Sequence, residues 1–356
     1  MLDDMKYQTL QDILFRLSTE TSHYLSLHSI AVLQQLKLTS LIAKAVTDDP
    51  VTLMGIEFPN RVGLAAGLDK DAKCIAGLDA LGFGFIEVGT VTPKPQRGNP
   101  KPRLFRIPSR QAIINRMGFN NEGVDEMSKR IRRANFAGVL GVNIGKNAKT
   151  ADEDTLSDYT LCMRKVYEQA SYIVVNISSP NTQGLRAFQH GDELARLLEG
   201  LRVVHRELQD KYQKHVPLLV KIAPDMDDEE ILTISRRLLE FEVDGVIVSN
   251  TTVSRSALLG ENHSSEKGGL SGDPLRNQSN HVLAMVASEV KPKLAVIGVG
   301  GIMLPEHAAQ KIELGADLVQ LYTGFIYSGP DLIAESSEAI RAALGQINLM
   351  PSASAL

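Results

Sequence analysis

Lysines, amides and hydroxyls that follow short apolar runs are the residues of this chain best suited to chemistry. Lys70 and Lys221 would bring positive charge to an anionic ligand. Asn115, Asn143, Asn176, Asn181 and Asn250 each offer a donor and an acceptor, the mixture that a planar heterocycle with alternating N–H and C=O groups needs. Ser178 and Ser179 stand between Asn176 and Asn181, next to Pro180. Serine is a poor base in water and serves as one only in a dry site with a hydrogen-bonded path for its proton. Other chemistries lack their residues. No histidine follows an apolar run, no nucleophile elbow occurs, and no carboxylate pair stands beside these groups, so hydrolysis by acid and base is not expected. The glycines of Gly298-Val299-Gly300-Gly301, with Gly324 after Tyr322 and Thr323, would let backbone N–H groups approach a phosphate.

These residues need a scaffold that brings them together. Eight Val- and Ile-rich runs cover 62–65, 85–88, 139–144, 172–177, 218–222, 245–249, 294–298 and 318–322, separated by longer amphipathic stretches. Runs apolar on both faces fit parallel strands covered by helices. Eight βα units in series predict an α/β fold, a (β/α)₈ TIM barrel, with catalytic groups at the C-terminal strand ends. The alternative is an open doubly wound sheet, but VGLAAGLDKD after the first run lacks G-x-G-x-x-G. One polar residue at a strand end is ordinarily a cap or turn. Here all eight runs end in hydrogen-bonding or glycine residues, which describes a polar mouth on an apolar barrel. The glycines fall after the seventh and eighth strands, the usual phosphate site of this fold. An isoalloxazine ring and a pyrimidine ring would both suit the amides. The plain alternative for each lysine is pairing with a nearby acid, Asp69 or Asp225.

Residues 1–46 read differently, as a small helical extension before a 47–356 barrel domain. Leu10, Ile13, Leu14 and Leu17 have helical spacing, Ser18 and Thr19 punctuate, and a second helix should run from Glu20 to about Lys37, with a short third piece over 38–46. Asp48, Asp49 and Pro50 mark the boundary. Tyr24, Leu25, Leu27, Ile30, Ala31, Val32, Leu33 and Leu36 cover more of the second helix than one buried face needs. Within the barrel, 92–121 is too long for a simple connection, and Pro93, Pro95, Pro100 and Pro102 keep it from being helical. The polar segment 254–270 is expected to act as a mobile flap.

Composition excludes several classes. The 356 residues carry a net charge of −4, which gives no reason to expect nucleic acid as a partner. Cys74 and Cys162 are the only cysteines and have no metal-type spacing, so neither a metal site nor a disulfide framework is expected. The opening MLDDMKYQTL lacks a signal-peptide pattern, and no run of about 18 apolar residues exists to span a bilayer.

The motifs resemble those of dihydroorotate dehydrogenases. They are AAGLDKD (65–71), EVGTVTPKPQRGNPKPRLFR (87–106), INRMGFNN (114–121), GVNIGKN (141–147), NISSPNTQGLR (176–186), KIAPD (221–225), SNTT (249–252), GGLSG (268–272), GVGGI (298–302) and YTGF (322–325). The match runs in order along nearly the whole barrel. It implies oxidation of (S)-dihydroorotate to orotate with FMN in de novo pyrimidine synthesis. Ser179, where the soluble class has cysteine, and the helical extension resemble the quinone-dependent class. The resemblance implies FMN contacts at Ala66, Gly67, Lys70, Thr90, Asn143, Asn176, Lys221, Ser249, Gly272, Gly301, Tyr322 and Thr323. Ser249 stands where a threonine is expected and keeps the hydroxyl. It implies substrate contacts at Lys70, at Asn115, Arg116, Met117, Gly118 and Phe119, and at Asn176, Asn181, Asn250 and Thr251. Ser179 would take the C5 proton, and Arg106 and Tyr322 would meet the quinone head group. Residues 1–46 would form the quinone entrance and rest peripherally on the cytoplasmic side of the inner membrane, with a monomer sufficient. Two rivals stay open at this point: a soluble fumarate- or NAD-linked dehydrogenase, and an aldolase using Lys221 as a Schiff base.

Overall fold

A computed structural model of the chain describes residues 2–182, 184–189 and 191–349. Met1, Gln183 of the NISSPNTQGLR stretch, His190 and residues 350–356 lie outside the described residues.

Eight parallel strands close a barrel: β1 (Val62–Leu64), β2 (Phe85–Val91), β3 (Leu140–Ile144), β4 (Tyr172–Asn176), β5 (Leu218–Ile222), β6 (Gly245–Val248), β7 (Ala295–Val299) and β8 (Leu318–Leu321). Each pairs with the next in sequence, and β8 returns to β1 with Gln320 opposite Gly63. The open-sheet alternative is thereby excluded. Side chains alternate between two apolar surroundings. Phe85, Tyr172, Val174, Leu219, Ile247 and Ile297 fill the barrel, while Ile86, Val142, Ile173, Val220, Val246 and Val296 face the helices. This double burial is why the strands read as unbroken apolar runs.

Three features were not anticipated as elements. An antiparallel hairpin, Val51–Leu53 with Ile56–Phe58, closes the barrel floor, and Phe58 meets Phe85 edge-on at 5.3 Å between ring centroids. The 92–121 stretch is non-helical as expected, but it is not irregular throughout. It contains a hairpin of Leu104–Ile107 and Ala112–Asn115, to which Gly269–Gly272 adds a third antiparallel strand. The 254–270 segment, expected as a flap, is tied to that small sheet. Leu258 is buried with Phe105 and Ile107, and Arg255 donates to the carbonyls of Glu266 (2.9 Å) and Gly268 (2.6 Å).

Two helices precede the barrel: α1 (Leu2–Phe15) and α2 (Thr19–Gln35), followed by a short turn at Thr39–Leu41. Ser18 caps α2, its Oγ accepting from the Thr21 amide at 3.3 Å. Losing such a cap typically costs about 1 kcal/mol. The helix ends at Gln35, two residues before the expected Lys37. Its Ile30 enters the main core beside Ile75 and Leu78. Basic residues of the proline-rich region fasten the pair. Arg103 grips both Glu20 carboxylate oxygens at 3.1 Å. Arg106 donates to the Leu14 and Phe15 carbonyls (3.3 and 3.2 Å), where its charge complements the C-terminal end of α1. Among the described residues no helix is long and apolar enough to cross a membrane.

Candidate active site

The C-terminal strand ends surround a cavity of about 140 Å³. After β1 it is lined by Ala66, Gly67 and Lys70, after β2 by Thr90, and by Asn176, Ser179 and Asn181 at and after β4. Lys221 of β5 and Ser249, Asn250 and Thr251 after β6 continue the wall. Gly301, Tyr322 and Thr323 close one side. The small sheet forms the roof with Asn115 and Gly272, and the segment that follows its second strand adds Met117, Gly118 and Phe119. Two residues expected at the site lie elsewhere. Asn143 sits one layer deeper and accepts the Thr90 hydroxyl at 2.5 Å. Arg116 turns away from the cavity, paired with Glu266 and stacked over Phe105 at 4.6 Å.

Neither lysine pairs with the acid named as its plain alternative. Asp69 accepts the backbone amides of Lys73 and Cys74 at 2.8 and 2.7 Å. Asp225 is held by Arg186 at 2.7 Å and by the Thr252 hydroxyl. Lys221 is buried at 5% exposure and makes no hydrogen bond or ion pair among the described residues, and burial lowers its pKa. A buried cation without a partner is costly, so the site suits a ligand that brings electron-rich oxygen or negative charge. Lys70 donates to the Gly67 carbonyl at 2.6 Å, and burial lowers it to about 8.

The adjacent serines have separate surroundings. Ser178 is fully buried, donates to Asn176 Oδ1 at 3.0 Å and accepts from Asn250 Nδ2 at 2.9 Å. Ser179 lines the cavity, and its Oγ accepts the Asn181 amide at 3.2 Å, which leaves its proton and a lone pair for a ligand. The loop that carries both is fastened by Arg186, which donates to the Ser178 carbonyl (3.0 Å) and the Thr251 carbonyl (2.8 Å) while holding Asp225. Arg186 stands in the NISSPNTQGLR motif, where nothing local in the sequence shows that it joins three strand ends.

Glycine is required at the phosphate-type end. Gly300 and Gly301 have φ +106° and +75°, and a Cβ on Gly301 would run into the Arg276 backbone. Gly272 has φ +97°, and a Cβ there would strike the Gln111 carbonyl. The backbone is thus left bare along one wall. Ser271 and Gly300 also line the cavity, and Ser271 accepts the Thr323 hydroxyl at 2.9 Å.

A second cavity of about 860 Å³ lies between α1, α2 and the barrel. Its walls are mostly apolar, with Leu14, Phe15, Ile30 and Leu33 facing Leu68, Phe325 and Ile326. Arg106 and His23 are among its polar residues, and burial pushes His23 down to about 3, so that it is neutral. Tyr322 lines both cavities.

The dihydroorotate dehydrogenase family model matches residues 50–344. The chain belongs to the dihydroorotate dehydrogenase family. Dihydroorotate dehydrogenase (quinone) of Pseudomonas fluorescens (strain SBW25) is 53% identical over 336 residues, covering 94% of this chain and 98% of that protein. The protein of the same name from Stutzerimonas stutzeri (strain A1501) is 53% identical over 340 residues, covering 96% and 99%. These alignments are too long to fit within residues 50–356, so they reach into the helical extension and place the chain with the quinone class of the family. Among solved structures, the ligand-free DHODH of Eimeria tenella superposes with a TM-score of 0.83 at 37% identity, covering 91% of this chain and 96% of that one. The ferulenol complex of the same organism's DHODH gives 0.83 at 36% identity, covering 90% and 92%.

Proposed function

We propose that the protein oxidises (S)-dihydroorotate to orotate with FMN in the mouth cavity. A membrane quinone in the apolar cavity takes the electrons, in the redox step of de novo pyrimidine synthesis. The observation that carries this reading is the meeting of two unlike cavities at Tyr322, one polar and cationic, one apolar. A redox group in the first can serve a small polar donor and a lipophilic acceptor without either sharing the other's site.

The residues fit FMN. The Gly300-Gly301 backbone would offer N–H groups to its single phosphate, and Lys221, Thr90 and Asn176 would supply polar contacts to its ring. When bound, FMN supplies the two-electron acceptor for dihydroorotate and the donor to quinone. The chain's own residues do the rest. Asn115, Asn176, Asn181 and Asn250 hold the pyrimidine ring in a reactive geometry, and Lys70 meets its carboxylate. Ser179 would take the C5 proton at its free lone pair as its own hydroxyl proton passes to water through the mouth cavity. Lys221 would hold its positive charge against the flavin ring. Heat release followed by chromatography is expected to yield FMN. The visible band should bleach when dihydroorotate is added without oxygen. FAD, or freshly prepared protein without flavin, would sink the reading.

Lys70 makes binding depend on pH. Its charged form pairs with the substrate carboxylate, and that form is lost above about 8. Orotate affinity should therefore be full below that value and fall as pH rises through it, whereas Lys70→Met should bind weakly with a flatter profile. Spectral titration of the flavin with orotate reads both. A native profile that strengthens with rising pH would refute the pairing.

The extension would dock on the cytoplasmic face of the inner membrane. Leu10, Ile13, Leu17, Tyr24, Leu25, Val32, Leu36, Leu38 and Leu41 are all exposed there, against five large exposed apolar residues on the remainder of the described chain. Such a patch is better covered by lipid than by water. Both cavities are completed by one chain, which suits a monomer. Activity with a quinone but not with fumarate separates this reading from the soluble class.

A further inference from the structure

Two helices stand behind the glycines at the phosphate-type end of the mouth cavity: α3 (Arg276–Val290) and α4 (Pro305–Glu313). Lys311 of α4 is only 1% exposed and lines neither cavity. Its stem crosses Gly298, where a Cβ would come within 3.0 Å of Lys311 Cδ. Its ammonium donates to Ser279 Oγ (2.6 Å) and Asn280 Oδ1 (2.9 Å), both on α3 and both neutral. No carboxylate pairs with it among the described residues, and burial pushes its pKa down to about 7. The position makes the charge harder still to hold, because Ser279 stands near the start of α3, the positive end of that helix. A buried cation so placed calls for an anion close by.

Ser279 relays that charge toward the cavity. An ammonium cannot accept, so the single hydroxyl proton of Ser279 goes elsewhere. Two carbonyls share it, Val299 at 3.0 Å and Gly300 at 3.2 Å. These carbonyls belong to the peptide groups that carry the Gly300 and Gly301 N–H groups, and both peptides are trans. In a trans peptide the N–H points opposite to the C=O. Gly300 and Gly301 line the mouth cavity and Ser279 does not, so carbonyls turned to Ser279 leave the two N–H groups on the cavity side. Neither N–H has a backbone acceptor among the described residues. A carbonyl that accepts a hydrogen bond polarises its own peptide, which makes the N–H a stronger donor. From Lys311 to the two glycines, every donor points the same way.

We propose that Lys311 is a positioning residue for the cofactor phosphate: through Ser279 its ammonium holds and polarises the Gly300-Gly301 peptides, and its charge offsets that of the phosphate without touching it. The inference rests on the FMN reading of the mouth cavity. A comparison of two flavins separates it from a packing role. Riboflavin has the ring of FMN and no phosphate. A lysine that only fills space supports both flavins alike, whereas this one favours FMN alone.

The test incubates purified holoenzyme with excess FMN and riboflavin together until the bound ratio is constant. Chromatography of the retained flavin then gives the preference for FMN. Native protein should hold FMN. In Lys311→Met, which keeps the stem and loses the charge, the preference should fall on the order of tenfold, as for one charge-assisted hydrogen bond lost. Lys311→Gln can still donate to a neighbour but carries no charge, and its preference should fall as well. Ser279→Ala keeps the charge and cuts the path to both carbonyls, so its preference should lie between those of Lys311→Met and the native protein. A native preference in flavin-loaded Lys311→Met or Lys311→Gln overturns the proposal. Weaker retention of both flavins at an unchanged ratio is what packing alone gives, and it overturns the proposal too. If neither lysine variant yields a folded flavoprotein, Ser279→Ala decides: a lowered preference supports the proposal, and a native one overturns it. Native protein that binds neither flavin, or binds both alike, would instead overturn the reading of the cavity, and this inference with it.

Discussion

In Ser179→Ala, anaerobic reduction of the flavin by dihydroorotate is expected to fall by at least about 10²-fold, the lower end of what a lost general base costs. The effect belongs to one half-reaction. Ser179 lines the mouth cavity and no residue of the apolar cavity wall touches it through a hydrogen bond, so reoxidation by quinone should keep its native rate. Orotate keeps a single vinylic C5 hydrogen that is not transferred on binding, so its affinity should change little. Ser178 is the control, because it stands one residue away with the same hydroxyl. Its Oγ is committed on both sides, to Asn176 and from Asn250, and it is fully sealed from the cavity. Ser178→Ala should therefore slow reduction much less, by disturbing the amides rather than removing the base. Stopped-flow traces of flavin bleaching at saturating dihydroorotate give both numbers. If Ser178→Ala proves the slow variant and Ser179→Ala the mild one, the base has been assigned to the wrong hydroxyl.

The barrel was legible because its physics is repetitive. Each strand is buried on both faces, and a run such as Leu218–Ile222 announces itself without knowledge of its neighbours. The polar mouth was legible for a related reason: once the strand ends are placed, the residues after them must converge. What escaped depends on partners far away in sequence. The Leu104–Ile107 and Ala112–Asn115 hairpin looks like a proline-bounded loop until Gly269–Gly272 is known to lie against it, some 150 residues later. Arg116 shares a motif with Asn115 and Met117, yet the alternation of an extended segment turns it to the opposite side, toward Glu266. Glu87 sits in an apolar run, and its partners Asn143, Tyr172 and Gln320 come from three separate strands. A single charge in a strand is ordinarily an exposed end, and only the closed barrel shows this one to be an interior acceptor.

A shortened chain beginning at Pro50 should lose most quinone turnover while keeping its flavin and its reduction by dihydroorotate. The division follows from which residues line which cavity. The mouth cavity is built entirely from Ala65 onward, so the first half-reaction has no residue to lose. Most of the lining of the apolar cavity comes from α1, α2 and the turn that follows, including Leu14, His23, Ile30 and Leu33. Without them Arg106 and Tyr322 face open water, and a lipophilic acceptor has no walls. A small soluble dye needs none and should still be reduced. Membrane attachment should go with the same residues. In the first 49 residues acids outnumber bases, with Asp3, Asp4, Asp12, Glu20, Asp48 and Asp49 against Lys6, Arg16, Lys37 and Lys44. Attachment of the full chain should thus be apolar, alike on neutral and anionic vesicles and little affected by salt. The shortened chain pays in stability as well, since Ile75 and Leu78 lose Ile30 above them and Arg103 loses Glu20. Thermal melting should therefore drop, and the comparison belongs well below the new midpoint, with flavin content confirmed first. Quinone turnover at the native rate in a shortened chain that is folded and flavin-loaded would refute the role given to the extension. Release of the full chain from neutral vesicles by salt would refute the apolar account of its attachment.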